Sequence, residues 1–415
     1  MSKRAERPEV LLGFNKQGDP VNVILNHTGI SGINNSGKTE VAKALAKRFA
    51  DASVKMFILD DKTIEPDYRG FGDAEIPVFI ERVTAPETIQ LLLEQTEDRS
   101  FDREFHRILR AYKSLPEEKR NMANILRVME GWVKEYLDWE DAFSKKEAKW
   151  GEKPFHPLDH KADNTVVYFL EKLVKQVAAI NPVGTLSLPG RINVMDLTPL
   201  DRDYQQLPVQ SLLGYVEKNR KTLDADWLAI MIDEFTRFAP MAGKAAAKQR
   251  MIYAIKEFRA GRTYFIVIDQ TLSGVHIQAR KQIWNWIMGS QRDTAESERV
   301  MKEVPDELRN VPGAPVSADM VKQLKQGWFV VWTEKGVDVA FAAPYWAPLS
   351  ESRRVALGEM TAKQLADKYQ GRAVLDEKAP VALVPVHELP VPENFDERVK
   401  AVMATLDRIE RTGNF

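Results

Sequence analysis

The 415-residue chain contains no cysteine, which excludes a disulfide scaffold and any zinc site built on thiolates. It also lacks long apolar runs. The most apolar stretches, such as WLAIMI at 227–232, fall far short of the ~20 residues that span a bilayer. The charged opening MSKRAERPEV is followed by no apolar core of signal-peptide length. The expectation is a soluble, cytoplasmic chain with no membrane segment. Charge of one sign is scarce as well: 59 Lys and Arg face 60 Asp and Glu, a net of −1. Such a balance speaks against a subunit that coats nucleic acid passively, because phosphate binding is driven by clustered cations. The balance is nevertheless a cancellation. Residues 51–100 carry 12 acidic against 5 basic side chains, whereas residues 241–292 carry 9 basic against 2 acidic.

What is present is a globular composition, 44% hydrophobic and 29% charged, over a length of two or three structural units. Strand-like VNVIL (21–25) and TGISG (28–32) run into a glycine-containing loop, then a helix pattern reaches residue 50. VKMFIL (54–59) ends at Asp60 and Asp61, and IPVFIERV (76–83) is a further apolar stretch. Strand, loop, helix, strand is the signature of a parallel sheet. From 86 to 180 only helical spacing is found: Phe105, Ile108, Leu109 and Tyr112, then Ile125, Val128 and Trp132, then Val166, Leu170, Leu173 and Val177. The sheet resumes with RINVMDL (191–197), a helix at 207–220, WLAIMID (227–233), a helix at 243–260 and YFIVID (264–269). WFVVWT (328–333) and VDVAFA (337–342) read as a hairpin with glycine in its turn. A proline-rich strap beyond 375 and a closing helix with Val399, Val402, Met403 and Leu406 on one face complete the chain.

The expected fold class is α/β: a P-loop NTPase of RecA type, its parallel sheet flanked by helices. To it are added an inserted helical bundle, a C-terminal β-hairpin and a strap. The boundaries are 1–85 for the first part of the ATPase domain, with a reduced N-terminal β element, and 86–180 for the helical insertion. The second part of the ATPase domain takes 181–345, and the C-terminal extension 346–415.

The strongest chemical signal is Gly32-Ile-Asn-Asn-Ser-Gly37-Lys38-Thr39, which matches G-x-x-x-x-G-K-[ST] between a strand and a helix. Its glycines let successive N–H groups turn toward phosphate oxygens, Lys38 brings a point charge to the β- and γ-phosphates, and Thr39 offers a hydroxyl to Mg²⁺. Gly32, Asn34, Asn35, Ser36, Gly37, Lys38, Thr39 and Glu40 are the expected contacts to ATP. Asp233 and Glu234 end the apolar strand IMI. Asp233 is placed to hold Mg²⁺ with Thr39, and Glu234 to polarise a water for attack on the γ-phosphate. Gln270 follows YFIVID, where carboxyl ends of strands face the ligand crevice, but alternation lets only one of Asp269 and Gln270 point there. Asp60 and Asp61 either line the crevice edge or sit in a solvated turn. Arg259 and Arg262 could complete a site in cis or in trans, or simply balance a helix C-terminus. His156, Asp159 and His160 fit a solvated loop better than a metal site. Trp284, Trp286, Trp328 and Trp332 are expected in cores or interfaces.

Taken together, HTGISGINNSGKT (27–39), ILDDK (58–62), RINVMDLTPLD (191–201), IDEFTRFAP (232–240) and GRTYFIVIDQT (261–271), with a long helical stretch after the last, resemble the HerA/FtsK superfamily of ring-forming P-loop ATPases. The HerA branch is the nearer pattern, and the resemblance covers residues 10–345. It implies an ATP-hydrolysing, hexameric homo-oligomeric ring that translocates on double-stranded DNA. ATP and Mg²⁺ would bind between subunits, and a nuclease or other effector would be the partner. An arginine, Arg259 or Arg262, would complete the site in trans or in cis. The run before Gly32 is too short for the usual N-terminal β-barrel, which that resemblance reduces to a strand or two. DQTLSGVH stands where an SQRPS-like run is usual, without its arginine. Alternatives are a coupling or packaging ATPase of a conjugative element or virus, and a nucleotide-dependent assembly scaffold that does not translocate. A ring needs few phosphate contacts per subunit, repeated around a pore, so the near-zero net charge does not oppose it.

Overall fold

The computed structural model describes residues 6–62, 66–78, 116, 138–139, 141–150, 186–200, 202, 205–242, 245, 247–303, 317–376 and 382–383. The helical patterns at 105–112, 125–132 and 166–177, the histidines His156 and His160, and the closing helix all lie outside them, as does all of the strap but Ala382–Leu383. The chain divides into two compact units. One comprises Met1–Pro77, Ser187–Thr198 and Val216–Pro385, the other Val78–Leu186, Pro199–Tyr215 and Val386–Phe415. In the second, Trp139, Phe143 and Trp150 form an aromatic cluster with ring centroids 5.0, 5.9 and 5.5 Å apart. Among the described residues no helix is long and apolar enough to cross a membrane.

The first unit holds one twelve-stranded mixed sheet, ordered β12-β5-β6-β4-β7-β8-β3-β9-β10-β11-β1-β2. Its strands are β1 (Glu9–Asn15), β2 (Pro20–Ile24), β3 (Thr28–Ser31), β4 (Val54–Asp60), β5 (Ala74–Ile76), β6 (Ile192–Asp196), β7 (Trp227–Ile232), β8 (Thr263–Asp269), β9 (Asn285–Met288), β10 (Trp328–Thr333), β11 (Gly336–Ala342) and β12 (Ala382–Leu383). From β12 to β9 all neighbours run parallel, and from β9 to β2 all run antiparallel. Every residue of β7 and β8 is buried, as expected of central parallel strands covered on both faces.

Helix α1 (Lys38–Asp51) packs one face of this sheet. Its Val41, Leu45, Ala46 and Phe49 recur at helical spacing and share a core with Ile30, Met56, Ile58, Met231, Ile266 and Ile268. Those sheet residues alternate along their strands, so one pleat face of each strand meets α1. Arg48, on the same helix, donates to the carbonyls of Leu11, Leu12 and Ala343 at 2.9, 3.0 and 2.7 Å. That anchors the N-terminal hairpin β1–β2, which pairs through β1 with β11.

Two sequence expectations are corrected. The stretch after YFIVIDQT is not a long helix: a short helix, Ile277–Arg280, is followed by β9, which pairs parallel with β3 and antiparallel with β10. All four residues of β9 are buried, so no polar–apolar alternation marks it in sequence. The expected helix at 243–260 is shorter, Lys248–Glu257, and passes through a 3₁₀ turn at Phe258–Gly261 to Arg262 in the left-handed region. Beyond the hairpin, helices Leu349–Ala356 and Ala362–Asp376 add Val355, Ala356 and Leu365 to a small core under Phe341.

Candidate functional site

The glycine loop after β3 turns directly into α1. Gly37 is the residue before the helix, with φ 98 and ψ 17, a conformation that side chains on Cβ rarely tolerate. No side chain caps the N-terminus of this 14-residue helix, so its first N–H groups and its dipole face outward as an anion slot. Lys38 folds back along the loop and its Nζ donates to the carbonyls of Gly32 and Ile33 at 2.6 and 3.1 Å. Burial pulls the Lys38 ammonium below its usual value, opposed chiefly by Asp233. Asn34 and Asn35 are exposed, and Asn35 is left-handed at φ 65. The buried Ser36 Oγ has no hydrogen-bond partner among the described residues.

The loop is braced from the neighbouring strand ends. Ile33 N donates to Ser290 O at 2.9 Å, and Gly327 N to Ser36 O at 3.0 Å. Glu40, in the first turn of α1, accepts from the indole Nε1 of Trp346 at 2.6 Å.

Strand order brings the acids to the loop. β8 lies between β3 and β7, and the register sets Ser31 beside Asp269 and Ile232 beside Val267. Asp233 is buried at 5% exposure, and burial raises its pKa against the pull of Lys62. Glu234 is half-buried and sits at φ 43, ψ 46, a left-handed backbone for a non-glycine residue at a strand end. Its N–H donates to its neighbour, Asp233 Oδ1, at 2.9 Å. The Thr39 hydroxyl donates to Asp67 Oδ2 at 3.4 Å, and Lys62 Nζ lies 2.9 Å from Asp67 and 4.0 Å from Asp233.

This is a set of hard oxygen donors around an anion slot. Among the described residues no cluster of three or more His, Cys, Asp or Glu could hold a metal by itself. The Thr39 hydroxyl and the Asp233 carboxylate are hard oxygen donors, the kind Mg²⁺ takes, an ion usually held by one or two protein oxygens with the remaining positions left to phosphates and water.

No protein-family model matches the chain, and no curated protein matches its sequence. Solved structures do match. VirB4 of Thermoanaerobacter pseudethanolicus superposes with a TM-score of 0.57 at 12% identity, over 84% of this chain and 99% of that one. The bacterial conjugative coupling protein TrwBdeltaN70 in its unbound form gives 0.47 at 13% identity, over 83% and 89%. The genome packaging NTPase B204 from Sulfolobus turreted icosahedral virus 2, in complex with ATP-gammaS, gives 0.37 at 12%, over 77% and 97%. The chain shares the α/β fold of VirB4.

Within this fold the remaining expectations separate. Of the two residues closing β8, Asp269 points inward and Gln270 is exposed. Asp269 Oδ2 accepts from both the N–H and the hydroxyl of Thr236, and Oδ1 from the N–H groups of Gln270 and Thr271 at 2.7 and 3.2 Å. Burial raises its pKa to about 6 against those donors. Asp60 and Asp61 are not in a solvated turn, since both are fully buried. Asp60 Oδ2 accepts from Tyr68 N at 2.7 Å, and burial raises Asp60 to about 6. Asp61 accepts from Arg237 Nη1 at 2.6 Å; burial pushes its carboxyl well above the usual range, and the guanidinium offsets only part of that rise.

Arg259 and Arg262 precede the amino end of β8, ten and seven residues before Asp269, and the strand itself spans roughly 20 Å. A role in cis at the P-loop is therefore excluded. Both are exposed and lie over tryptophan rings, Arg259 over Trp284 at 5.3 Å and Arg262 over Trp227 at 5.0 Å. Trp286 and Trp332 are core residues, whereas Trp284 is 45% exposed.

Sequence reasoning overlooked Asp67 and Lys62, the pair set between Thr39 and Asp233. They come from a loop without periodicity, and the only hint was the position of ILDDK at a strand end. It also overlooked Gln291, buried just past the unrecognised β9, whose Nε2 donates to Ser31 Oγ at 3.3 Å.

Proposed function

We propose that this chain is an ATP-hydrolysing, HerA-like motor that acts on double-stranded DNA as a homo-oligomeric, hexameric ring. The observation that carries the ATPase reading is the meeting of Lys38, Thr39, Asp233 and Glu234 at the carboxyl ends of β3 and β7, on either side of β8. The DNA and ring parts rest on the sequence resemblance. In this reading the loop N–H groups and Lys38 bind the phosphates, and Thr39 and Asp233 hold Mg²⁺. When bound, the ion neutralises charge on the phosphates. Glu234 takes the proton of an attacking water. Asp67 holds the Thr39 hydroxyl by its proton and leaves the oxygen lone pairs for the cation. Arg259 and Arg262, excluded in cis, would reach a phosphate only from a neighbouring copy. The segment 86–180 is assigned to a helical insertion and 346–415 to a C-terminal extension, in a cytoplasmic protein.

The test is steady-state ATP hydrolysis with and without duplex DNA, for the wild type, Lys38→Ala and Glu234→Gln. Both variants should lose hydrolysis by at least 100-fold while Glu234→Gln still binds ATP, and DNA should stimulate the wild type. Unchanged turnover in either variant refutes the ATPase reading. Hydrolysis indifferent to DNA refutes the motor and favours a nucleotide-dependent scaffold. Partner capture that returns secretion or capsid components would move the task to a coupling or packaging ATPase.

A further inference from the structure

A lysine from outside the glycine loop links the two side chains assigned to Mg²⁺. Lys62 Nζ is 2.9 Å from Asp67 Oδ2 and 4.0 Å from Asp233 Oδ2, and the same Asp67 oxygen accepts from the Thr39 hydroxyl at 3.4 Å. The contacts run Thr39, Asp67, Lys62, Asp233. The ammonium therefore takes up the side of Asp233 that leads to Thr39. An ammonium and a divalent cation repel each other and cannot share that place. We propose that Lys62 is a built-in counter-cation that keeps free divalent metal off Asp233, and that it yields when nucleotide phosphates offer the ammonium another partner. The proposal rests on the ATP-site reading.

An ordinary surface ion pair would be too loose for this task, but both ends of this one are pinned. Asp61, just before Lys62, is wholly buried and accepts from Arg237 at 2.6 Å. Tyr68, just after Asp67, is fully buried and donates its N–H to Asp60 Oδ2 at 2.7 Å. Asp233 also needs a cation, because a buried carboxylate is costly unless it is paired. The loop lysine is engaged elsewhere, since Lys38 Nζ donates to the carbonyls of Gly32 and Ile33. Burial alone would lower the Lys62 ammonium; its bond to Asp67 and the charge of Asp233 outweigh that and hold it above its usual value. The ammonium is nevertheless free to move. The Lys62 side chain is 34% exposed and carries its charge on a flexible four-carbon stem. Phosphates on the N-terminus of α1 would bring several negative charges within its reach. Exchange of partners then makes metal binding conditional on nucleotide.

The experiment is titration of the full chain with Mn²⁺, read by electron paramagnetic resonance, first without nucleotide and then with a non-hydrolysable ATP analogue. Mn²⁺ takes the same oxygen ligands as Mg²⁺. Without nucleotide, Lys62→Met should bind Mn²⁺ about 10-fold or more tighter than the wild type, and Lys62→Arg, which keeps a cation, no tighter. Adding Asp233→Asn to Lys62→Met should remove the gain. With the ATP analogue present, the wild type and Lys62→Met should agree within about threefold. Equal affinities without nucleotide would mean that the ammonium does not exclude the metal, and the proposal falls. A gain that survives Asp233→Asn places the metal elsewhere and overturns it too. A gap of about 10-fold that persists with the analogue refutes the exchange of partners. If the wild type does not bind the analogue at all, the ATP-site reading has failed, a result separate from the nucleotide-free comparison. Should Lys62→Met not fold, Lys62→Gln decides.

Discussion

Replacing Arg237 by methionine tests the buried charge network behind the candidate site. Arg237 is 10% exposed and Asp61 wholly buried, with Nη1 and Oδ2 2.6 Å apart. At an effective dielectric constant of 20 that contact is worth about 6 kcal/mol before desolvation is counted. Methionine keeps much of the volume and removes the charge, so Asp61 must remain as an unpaired buried anion or take up a proton. Its Oδ1 already lacks a partner among the described residues, which leaves little to compensate an anion. Protonation sets the ceiling. Neutralising at pH 7 a carboxyl whose ordinary pKa is 3.8 costs about 4 kcal/mol, at 1.36 kcal/mol per unit. Because burial already holds the Asp61 carboxyl well above its ordinary value beside Arg237, part of that cost is present in the wild type, and the expected loss falls below the ceiling, at about 2 kcal/mol at pH 7. As protonation becomes easier in acid, the loss should shrink to about 1 kcal/mol or less at pH 5.5. Urea unfolding followed by tryptophan fluorescence at both pH values measures it, and adding Asp61→Asn should recover part of the loss. A loss under about 1 kcal/mol at pH 7 would mean that Asp61 is already protonated beside Arg237, and the ionic account would be wrong.

Two further perturbations address the sheet. The Asp269 carboxyl has a folded pKa of about 6 against an ordinary 3.8, so the folded state holds the proton between these values. Its contribution to stability is full below pH 4 and is lost as pH rises to 6, by up to about 3 kcal/mol. Asp269→Asn should flatten that part of the pH–stability curve relative to the wild type, and an unaltered slope in urea midpoints would refute the assignment. In β1, a Cβ on Gly13 would lie 1.9 Å from the carbonyl oxygen of Phe341 on the paired strand β11. Gly13→Ala should destabilise by about 2–3 kcal/mol through separation of the two strands, and a thermal midpoint equal to the wild type would contradict the pairing.

Central strands were the legible part of the fold. WLAIMI and YFIVI are unbroken apolar runs, and VKMFIL is interrupted only by Lys55, because parallel strands are covered on both faces. Each is closed by an acid, Asp233, Asp269 and Asp60 in turn, that marks the carboxyl edge. The P-loop was legible because its chemistry depends on a contiguous string of backbone conformations. β9 was not: four buried residues with two tryptophans nearby carry neither alternation nor length. The choice between Asp269 and Gln270 was not legible either, because a one-residue shift reverses the face on which a strand side chain points. Arg259 and Arg262 sit close in sequence to the strand that ends at Asp269, yet a seven-residue strand carries them to the other end of the sheet.

By itself the sequence determined which groups are available and how each local segment is bent. Gly37 before α1, the loop from Gly32 to Thr39 and the acids closing β7 all follow from local backbone preferences and apolar periodicity. Tertiary structure alone decided what faces them. The order β3-β8-β7 sets Asp233 near Lys38, a loop after β4 inserts Lys62 and Asp67 between Thr39 and Asp233, and Trp346 reaches back to Glu40 across 306 positions. The physical reason is that φ, ψ and periodicity are encoded over a few residues, whereas strand order and packing partners are chosen by the burial of the whole core.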